Sequence, residues 1–367
     1  MLHNRAVLRD ATHGEEWDAA ARALMVAGVR VAYTGSGCSS VSLRPTSPSA
    51  ASVAERLQAA YAAATYDALL LVSESCALGH VARTVLCAES SEEGGGRPLD
   101  RLAAILSHSL DNLTHDVTSL CVSTLLALSQ VPLDAGAPTA TLDALGASAG
   151  AVRALRSASP CVERMLAAAV PDMLSTAASA PTGGDALTLL ARCAAVDGTL
   201  AAQLRGSGVH AVAMQALGRY CDSGALMDDG VVEAHEVESF AEVATHILRG
   251  AASAFAACAG HVPAGESAST VAAGDAAAVA RVMRLVGDDV SGELIACAPA
   301  MIAVCDLITT VCTPTHVDAS DKAPAAPLVA NGGVVSEPAA EAARAAVLDV
   351  DGRNLIVFLM SSAPLSQ

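Results

Sequence analysis

The amino-acid sequence predicts an all-α protein, and three observations lead to this fold class. Hydrophobic residues make up 53% of the 367 residues and aromatic residues only 2%, so the core must consist mainly of Ala, Leu and Val. Ala favours helices and lets them approach closely, whereas a strand-rich chain would carry more Ile, Thr, Tyr and Phe. Apolar residues also recur with helical spacing, and Gly, Pro and Ser mark short joints between the helical stretches.

Four apolar stripes carry the periodicity, because their members recur at i, i+3, i+4 and i+7 and so share one helix face. They are Leu99, Leu102, Ala103, Leu106 and Leu110; Val117, Leu120, Cys121, Thr124, Leu125 and Leu128; Val209, Val212, Ala213, Ala216, Leu217 and Tyr220; and Phe240, Ala244, Ile247, Leu248, Ala251 and Phe255. Each stripe is wide enough to pack against two neighbouring helices.

Residues 15–27 and 51–64 begin a series of predicted helices that are mostly short and closely spaced. The others cover 66–77, 79–89, 98–109, 113–130, 139–147, 149–157, 160–169, 171–179, 185–196, 198–205, 209–221, 232–259, 269–286, 290–312 and 338–348. Short joints between helices of two or three turns are typical of a helical solenoid.

Several residues predict where helices begin or end. Ser52 and Glu55 fit a capping box, and Asp185 fits an N-cap for the helix that follows. Pro171 is expected to start a new helix, because proline is poorly tolerated inside one. Gly206 and Gly208 are expected to bracket a tight turn.

Composition shifts divide the chain into four predicted regions: an N-terminal helix and loop over 1–48, a helical repeat domain over 49–312, a flexible linker over 313–337, and a C-terminal helix with an apolar tail over 338–367. The linker combines Pro, Ala and Gly. Within the repeat domain, Val170 and Val209 open comparable helices 39 residues apart, close to the length of armadillo and HEAT repeats.

The run Ala191–Gly198, followed by Leu204–Val212, resembles an armadillo repeat junction, in which a short helix and a Gly-containing turn precede a helix opening with Val. Residues 159–220 and Tyr66–Val72 are similar to the neurochondrin family of armadillo-like proteins. The resemblance implies an armadillo/HEAT-like solenoid of short stacked helices and an adaptor-like role. The Asn usual in the third armadillo helix is absent from 209–221, which argues against a conventional groove for extended peptides.

The charge of the chain excludes some partners and favours others. The formal net charge is −17, so we expect no nucleic-acid binding, which needs clustered Lys and Arg. Residues 294–312 are nearly all apolar, but Pro299 and Asp306 interrupt them, so we predict a buried helix and no direct membrane insertion. An acidic surface favours a protein partner that presents a basic segment.

The eleven cysteines are scattered and form no CxxC pair, so we predict buried free thiols in a reducing, cytoplasmic compartment. The N-terminus lacks the pattern of a secretory signal. Cys87 and Cys305 are possible nucleophiles, but a buried thiol is the favoured interpretation for each.

Residues 34–40, rich in Gly and Ser, follow a possible strand at 29–33 and could cradle a phosphate through backbone N–H groups. No Lys completes a P-loop pattern, so a loop between helices is favoured over a nucleotide-using enzyme.

Glu238, Glu242 and His246 lie at i, i+4 and i+8, with His235 three residues earlier, which is a possible metal-ligand spacing. Matching ligands on other helices are not evident, so a solvated acidic face is favoured.

His108 and His115, with Asp111 and Asp116, could form an acid–base cluster but better fit a polar turn between two helices. The triplet 112–114 matches a glycosylation acceptor, which a cytoplasmic chain would leave unmodified.

No catalytic, cofactor-binding or metal residues are therefore predicted. The sequence predicts a non-enzymatic interaction scaffold or adaptor. The alternative is a structural subunit of a large cytoskeletal, ciliary or organellar assembly.

Overall fold

The computed structural model describes residues 15–36, 48–76, 86, 97–111, 115–129, 150–158, 160–172, 180–194, 196–221, 246–247, 249–262, 265–287, 305, 308, 312 and 340–345. Within these ranges the regular elements are helices, and none is a strand. The predicted all-α class is thereby confirmed for this part of the chain.

The helices follow one another along the chain, as their bounds show. They are α1 (Glu15–Gly35), α2 (Pro48–Cys76), α3 (Pro98–Asp111), α4 (His115–Ser129), α5 (Cys161–Asp172), α6 (Ala180–Ala194), α7 (Gly198–Gly206), α8 (Val209–Cys221) and α9 (Ala268–Gly287). Residues 150–157, 249–258 and 340–345 are also helical. The predictions over 98–109, 113–130, 149–157, 198–205, 209–221 and 269–286 are confirmed to within one or two residues at each end.

The two N-terminal helices are longer than predicted. Helix α1 continues through residues 29–33, so the strand considered there is wrong. Helix α2 is one helix of 29 residues, where two short ones were expected. The reason is its composition, because the expected break near residue 65 contains Ala, Thr and Tyr and no Gly or Pro that would interrupt a helix.

Two predicted helix starts are also wrong. Ser52 and Glu55 lie inside α2, which begins one turn earlier at Pro48, a residue suited to the first turn because it lacks an N–H group. Pro171 lies in the last turn of α5, so it does not start a new helix. The three alanines at 167–169 favour continuation of the helix up to it.

By its packing contacts the chain divides into unit 1 (Met1–Arg164) and unit 2 (Met165–Gln367). This division does not test the predicted boundaries at residues 49, 313 and 338, which stay predictions.

In unit 1, α1 packs against α2 and α3, and α4 packs against the same two helices. The predicted stripe of α3 forms part of this core, with Leu99, Leu102, Ala103 and Leu106 buried. Both stacked helical hairpins and a four-helix bundle give such pairs.

The start of α5 is held to α3 by polar contacts within unit 1. Arg164 Nη1 lies 2.8 Å from the Asp111 carboxylate and 2.8 Å from Ser107 Oγ. The Cys161 thiol faces the Ala103 carbonyl at 3.9 Å.

In unit 2, α7 packs against both α6 and α8, and α8 packs against α9. Asp197 caps α7 by accepting hydrogen bonds from the backbone N–H groups of Thr199 and Leu200. Gly208, at φ +76°, forms the turn between α7 and α8, which confirms the predicted turn. In the fourth stripe, Ile247, Ala251 and Phe255 are buried, while residues 240, 244 and 248 lie outside the described residues.

Candidate functional site

A half-buried charged cluster joins α6 to the helical residues 246–247 and 249–258 in unit 2. Asp185 accepts a hydrogen bond from the Arg249 guanidinium, and its Oδ1 lies 2.7 Å from His246 Nδ1. Arg249 Nη2 lies 3.2 Å from the same His246 nitrogen. Asp185 was expected to cap a helix, but α6 begins five residues earlier, so its carboxylate is available for these contacts instead.

Close backbone packing at two glycines brings this cluster together. A Cβ atom on Gly184 would collide with the His246 carbonyl, and one on Gly250 would collide with the Gly184 carbonyl. Side chains at either position would push the two segments apart. The glycines therefore set the distance that lets Asp185 reach Arg249 and His246.

The contacts of His246 show what this cluster can do chemically. Among the described residues, the side chain of His246 contacts Asp185 and Arg249. The cluster is therefore an ion-pair and hydrogen-bond network that links two helical segments.

His246 was predicted to lie on a solvated acidic face, and this is wrong for that residue, because its ring is turned towards Asp185. Its expected neighbours Glu238, Glu242 and His235 lie outside the described residues. Among the described residues, no group of three or more His, Cys, Asp or Glu side chains could hold a metal ion.

A second charged cluster in unit 2 is almost fully buried. Arg205 of α7 and Asp275 of α9 form a two-point ion pair, with nitrogen–oxygen distances of 2.7 and 3.2 Å. Arg205 Nη1 also donates to the Cys258 carbonyl at 2.8 Å, and the Gly260 N–H donates to Asp275 at 2.8 Å. The pair thus joins α7, α9 and the end of the helical residues 249–258.

His210 lies near this ion pair at the start of α8. Its Nδ1 is buried and has no hydrogen-bond partner within the described part of the chain. Burial, reinforced by the positive charge of Arg205, lowers the pKa of His210 below its ordinary value of 6.5. The neutral imidazole is therefore the form that the fold favours.

The thiols largely follow the prediction of buried free cysteines, which is confirmed for Cys76, Cys121, Cys161, Cys193 and Cys258. Burial raises the pKa of Cys161, Cys193 and Cys258 to about 12, so these thiols stay protonated near neutral pH. Cys305 is exposed, so its predicted burial is wrong, and Cys312 is half-buried. Cys87 lies outside the described residues.

The predicted polar turn between α3 and α4 carries exposed side chains at His108, Asp111, His115 and Asp116. The structure joins Asp111 to Arg164 of α5. Residues 112–114 between the helices lie outside the described residues.

The predicted Gly/Ser loop begins as the end of a helix. Thr34 and Gly35 belong to α1, and the Thr34 hydroxyl donates to the Arg30 carbonyl. The backbone N–H of Ser36 donates to the Ala32 carbonyl, so it continues the helical pattern. Residues 37–40 lie outside the described residues.

Large exposed apolar side chains concentrate on α1 and α2. Among the described residues, six such side chains are at least 39% exposed, and five of them lie on these two helices: Leu24, Val31, Tyr66, Leu70 and Leu71. The sixth, Val262, lies in unit 2. A concentration of this kind marks a candidate interaction surface.

Three of these side chains share one side of the α1–α2 contact. The helices run antiparallel, since Gly28 approaches Val72 and Ala68 while Thr65 donates to the Ala32 carbonyl. Leu24 and Val31 lie four residues before and three after Gly28, and Leu71 lies three after Ala68. We call Leu24, Val31 and Leu71 the outer strip.

The opposite side of the same contact is the core of unit 1. Met25 and Val29 of α1 and Leu69 of α2 are buried there, with exposures of 2% or less. The outer strip therefore faces away from the core. Sequence reasoning missed it because Leu24 and Val31 are spaced like a buried stripe, and only packing shows which side of the helix is covered.

No helix in the described ranges is both long enough and apolar enough to cross a membrane. Residues 294–312, where a buried helix was predicted, are described only at positions 305, 308 and 312, which are exposed or half-buried.

Comparison with known proteins identifies no relative: no family model matches the chain, and no curated protein or solved structure matches it significantly.

Proposed function

We propose that the protein is a non-enzymatic scaffold or adaptor that binds a partner protein on the surface of its helices. The observation that supports this most is the outer strip, where Leu24, Val31 and Leu71 are between 41% and 50% exposed on adjoining helices. These solvent-facing apolar side chains on two helices form a surface that a partner protein can bury. Burial of apolar surface is the main driving force of association.

The proposed architecture is an armadillo/HEAT-like solenoid in the reducing compartment of the cytoplasm. It is supported by the repeat-like junction at α7–α8 with its Gly208 turn, and by the buried free thiols. Small-angle scattering tests the shape, because a compact chain of this length has a radius of gyration of about 21 Å. A clearly larger value with an elongated distance distribution is expected, and a value near that of a sphere would contradict the solenoid.

Affinity purification with crosslinking tests the function. The sequence contains a single lysine, Lys322, so a carboxyl-reactive reagent that reaches Asp67 and Glu74 suits this chain better than an amine-reactive one. Partners are expected to crosslink to α1 and α2, and to be lost from the Leu71→Glu variant. The matched control is Val262→Glu, which places the same charge at an exposed apolar position in unit 2.

Two outcomes would count against the proposal. Equal recovery of the same partners by the wild type and by Leu71→Glu would exclude the outer strip as their binding surface. Recovery of the chain only within one large particle, with crosslinks spread over many surfaces, would favour the alternative of a structural subunit.

A further inference from the structure

We infer that the outer strip binds an amphipathic helix of the partner whose apolar face is bordered by Lys or Arg. This inference rests on the proposed function, because it names the kind of partner segment that the scaffold would accept. It follows from the length of the strip and from the charges beside it.

The length of the strip suits a helix. Leu24 and Val31 are seven residues apart on α1, which corresponds to two turns or about 10 Å. Leu71 of the antiparallel α2 lies between them along the axis, because its neighbour Ala68 contacts Gly28. A partner helix with apolar residues at i, i+3 or i+4, and i+7 would match this spacing along the two helices.

The charges next to the strip are negative. Asp67 and Glu74 are exposed on α2, four residues before and three after Leu71, so both lie on the same side of the helix as Leu71. They border the strip on its α2 side, about two turns apart, and their negative charge favours basic side chains on the partner helix.

Among the described side chains of these two helices, the exposed cations lie away from the strip. Arg30 is two residues from Gly28 and therefore on the side of α1 that points away from α2. Arg56 is exposed on α2 but lies eleven residues, or about 16 Å, from Asp67. The local charge thus agrees with the formal net charge of −17 in disfavouring an acidic partner segment.

Two designed peptides test the inference on the full chain. Both are 18-residue helices with Leu at i, i+3, i+4 and i+7; one carries Lys beside the Leu face and the other carries Glu there. Fluorescence anisotropy is expected to show binding of the basic peptide only. Leu71→Ala is expected to weaken that binding by about fivefold or more, since a buried contact residue is lost.

Charge reversal separates local recognition from general attraction to an acidic chain. Asp67→Lys with Glu74→Lys is expected to weaken binding of the basic peptide by roughly tenfold. The control, Glu266→Lys with Glu341→Lys, changes the net charge equally at exposed sites of unit 2 and is expected to have a much smaller effect. Circular dichroism melting of each variant verifies that the fold is retained.

Three results would overturn the inference. The first is equal binding of both peptides, and the second is an equal effect of the two double charge reversals. The third is a concentration-dependent dimer in sedimentation that Leu71→Glu abolishes, because the strip would then bind a second copy of this chain. If any of these occurs while partner capture still depends on Leu71, the scaffold function stands and only the proposed helix chemistry fails. If partner capture does not depend on Leu71, the proposed function itself is contradicted.

Discussion

Arg205 and Asp275 show at the residue scale how unit 2 is held together. Each side chain is at most 5% exposed, so neither charge is solvated when its partner is missing. Removing one member of a buried ion pair is costly because the other charge stays buried without compensation.

We therefore expect Arg205→Leu to lower the free energy of unfolding by about 3–5 kcal/mol. Urea denaturation followed by circular dichroism measures this. The double variant Arg205→Leu with Asp275→Leu is expected to lose less than the single one, since no unpaired charge remains. Arg281→Leu, at an exposed position of α9, serves as the control, and a loss equal to that of Arg205→Leu would contradict the argument.

His210 makes stability depend on pH, because burial and Arg205 lower its pKa in the folded chain below 6.5. The unfolded chain then binds more protons at mildly acidic pH, so stability rises with pH in this window. His210 contributes fully above pH 6.5, and its contribution falls as the pH drops through 6.5 towards the lower pKa of the folded state.

Replacing His210 by Gln should remove this part of the pH dependence. Melting temperatures between pH 7.5 and 5.5 are expected to fall less for His210→Gln than for the wild type. His115→Gln, which changes an exposed histidine at the start of α4, serves as the matched control. An equal fall in melting temperature from pH 7.5 to 5.5 for all three proteins would show that His210 is not responsible for the pH dependence.

At the scale of elements, glycines have opposite roles in two helices. Gly184 of α6 lies against the His246 carbonyl, so any Cβ atom there meets backbone that cannot move freely. Gly274 lies in the middle of α9 with open space around it. Gly184 is therefore required by packing, whereas Gly274 only weakens its helix.

These roles predict substitutions of opposite sign. Gly184→Ala is expected to destabilise unit 2 by about 1–3 kcal/mol through steric clash. Gly274→Ala is expected to stabilise the chain by about 0.5–1 kcal/mol, because Ala has the higher helix propensity. Chemical denaturation of the two variants is the test, and a change of the same sign in both would contradict it.

At the scale of the whole molecule, burial controls the chemistry of the thiols. Only the thiolate reacts readily, and a pKa raised to about 12 keeps Cys161, Cys193 and Cys258 protonated. Exposed Cys305 lacks such protection by burial. The folded chain should therefore react with thiol reagents at selected positions.

We expect a thiol-specific reagent at pH 7.5 to modify Cys305 within minutes and to leave the three buried thiols unmodified, as peptide mass spectrometry can show. In 8 M urea, all four should react at similar rates. If Cys193 of the folded chain were modified as fast as Cys305, the prediction would be contradicted. Such a result would show that α6 opens readily.

The sequence by itself determined the helical character of the chain, because periodicity and propensity are local properties. The stripe of α3, the limits of α8 and the turn at Gly208 follow from residues within a few positions of one another. The predicted start of α6 was less accurate, because Asp185 looks like a cap in isolation and its bonding to Arg249 depends on a segment 64 residues away.

Only the tertiary structure decided which side of each helix is covered and which charges meet. Leu24 and Val29 are equally apolar in sequence, yet Leu24 is 50% exposed and Val29 fully buried. Arg205 and Asp275 are 70 positions apart, and no local pattern pairs them. Exposure and pairing arise from contacts between distant segments, so the outer strip and the buried ion pair became visible only in the folded chain.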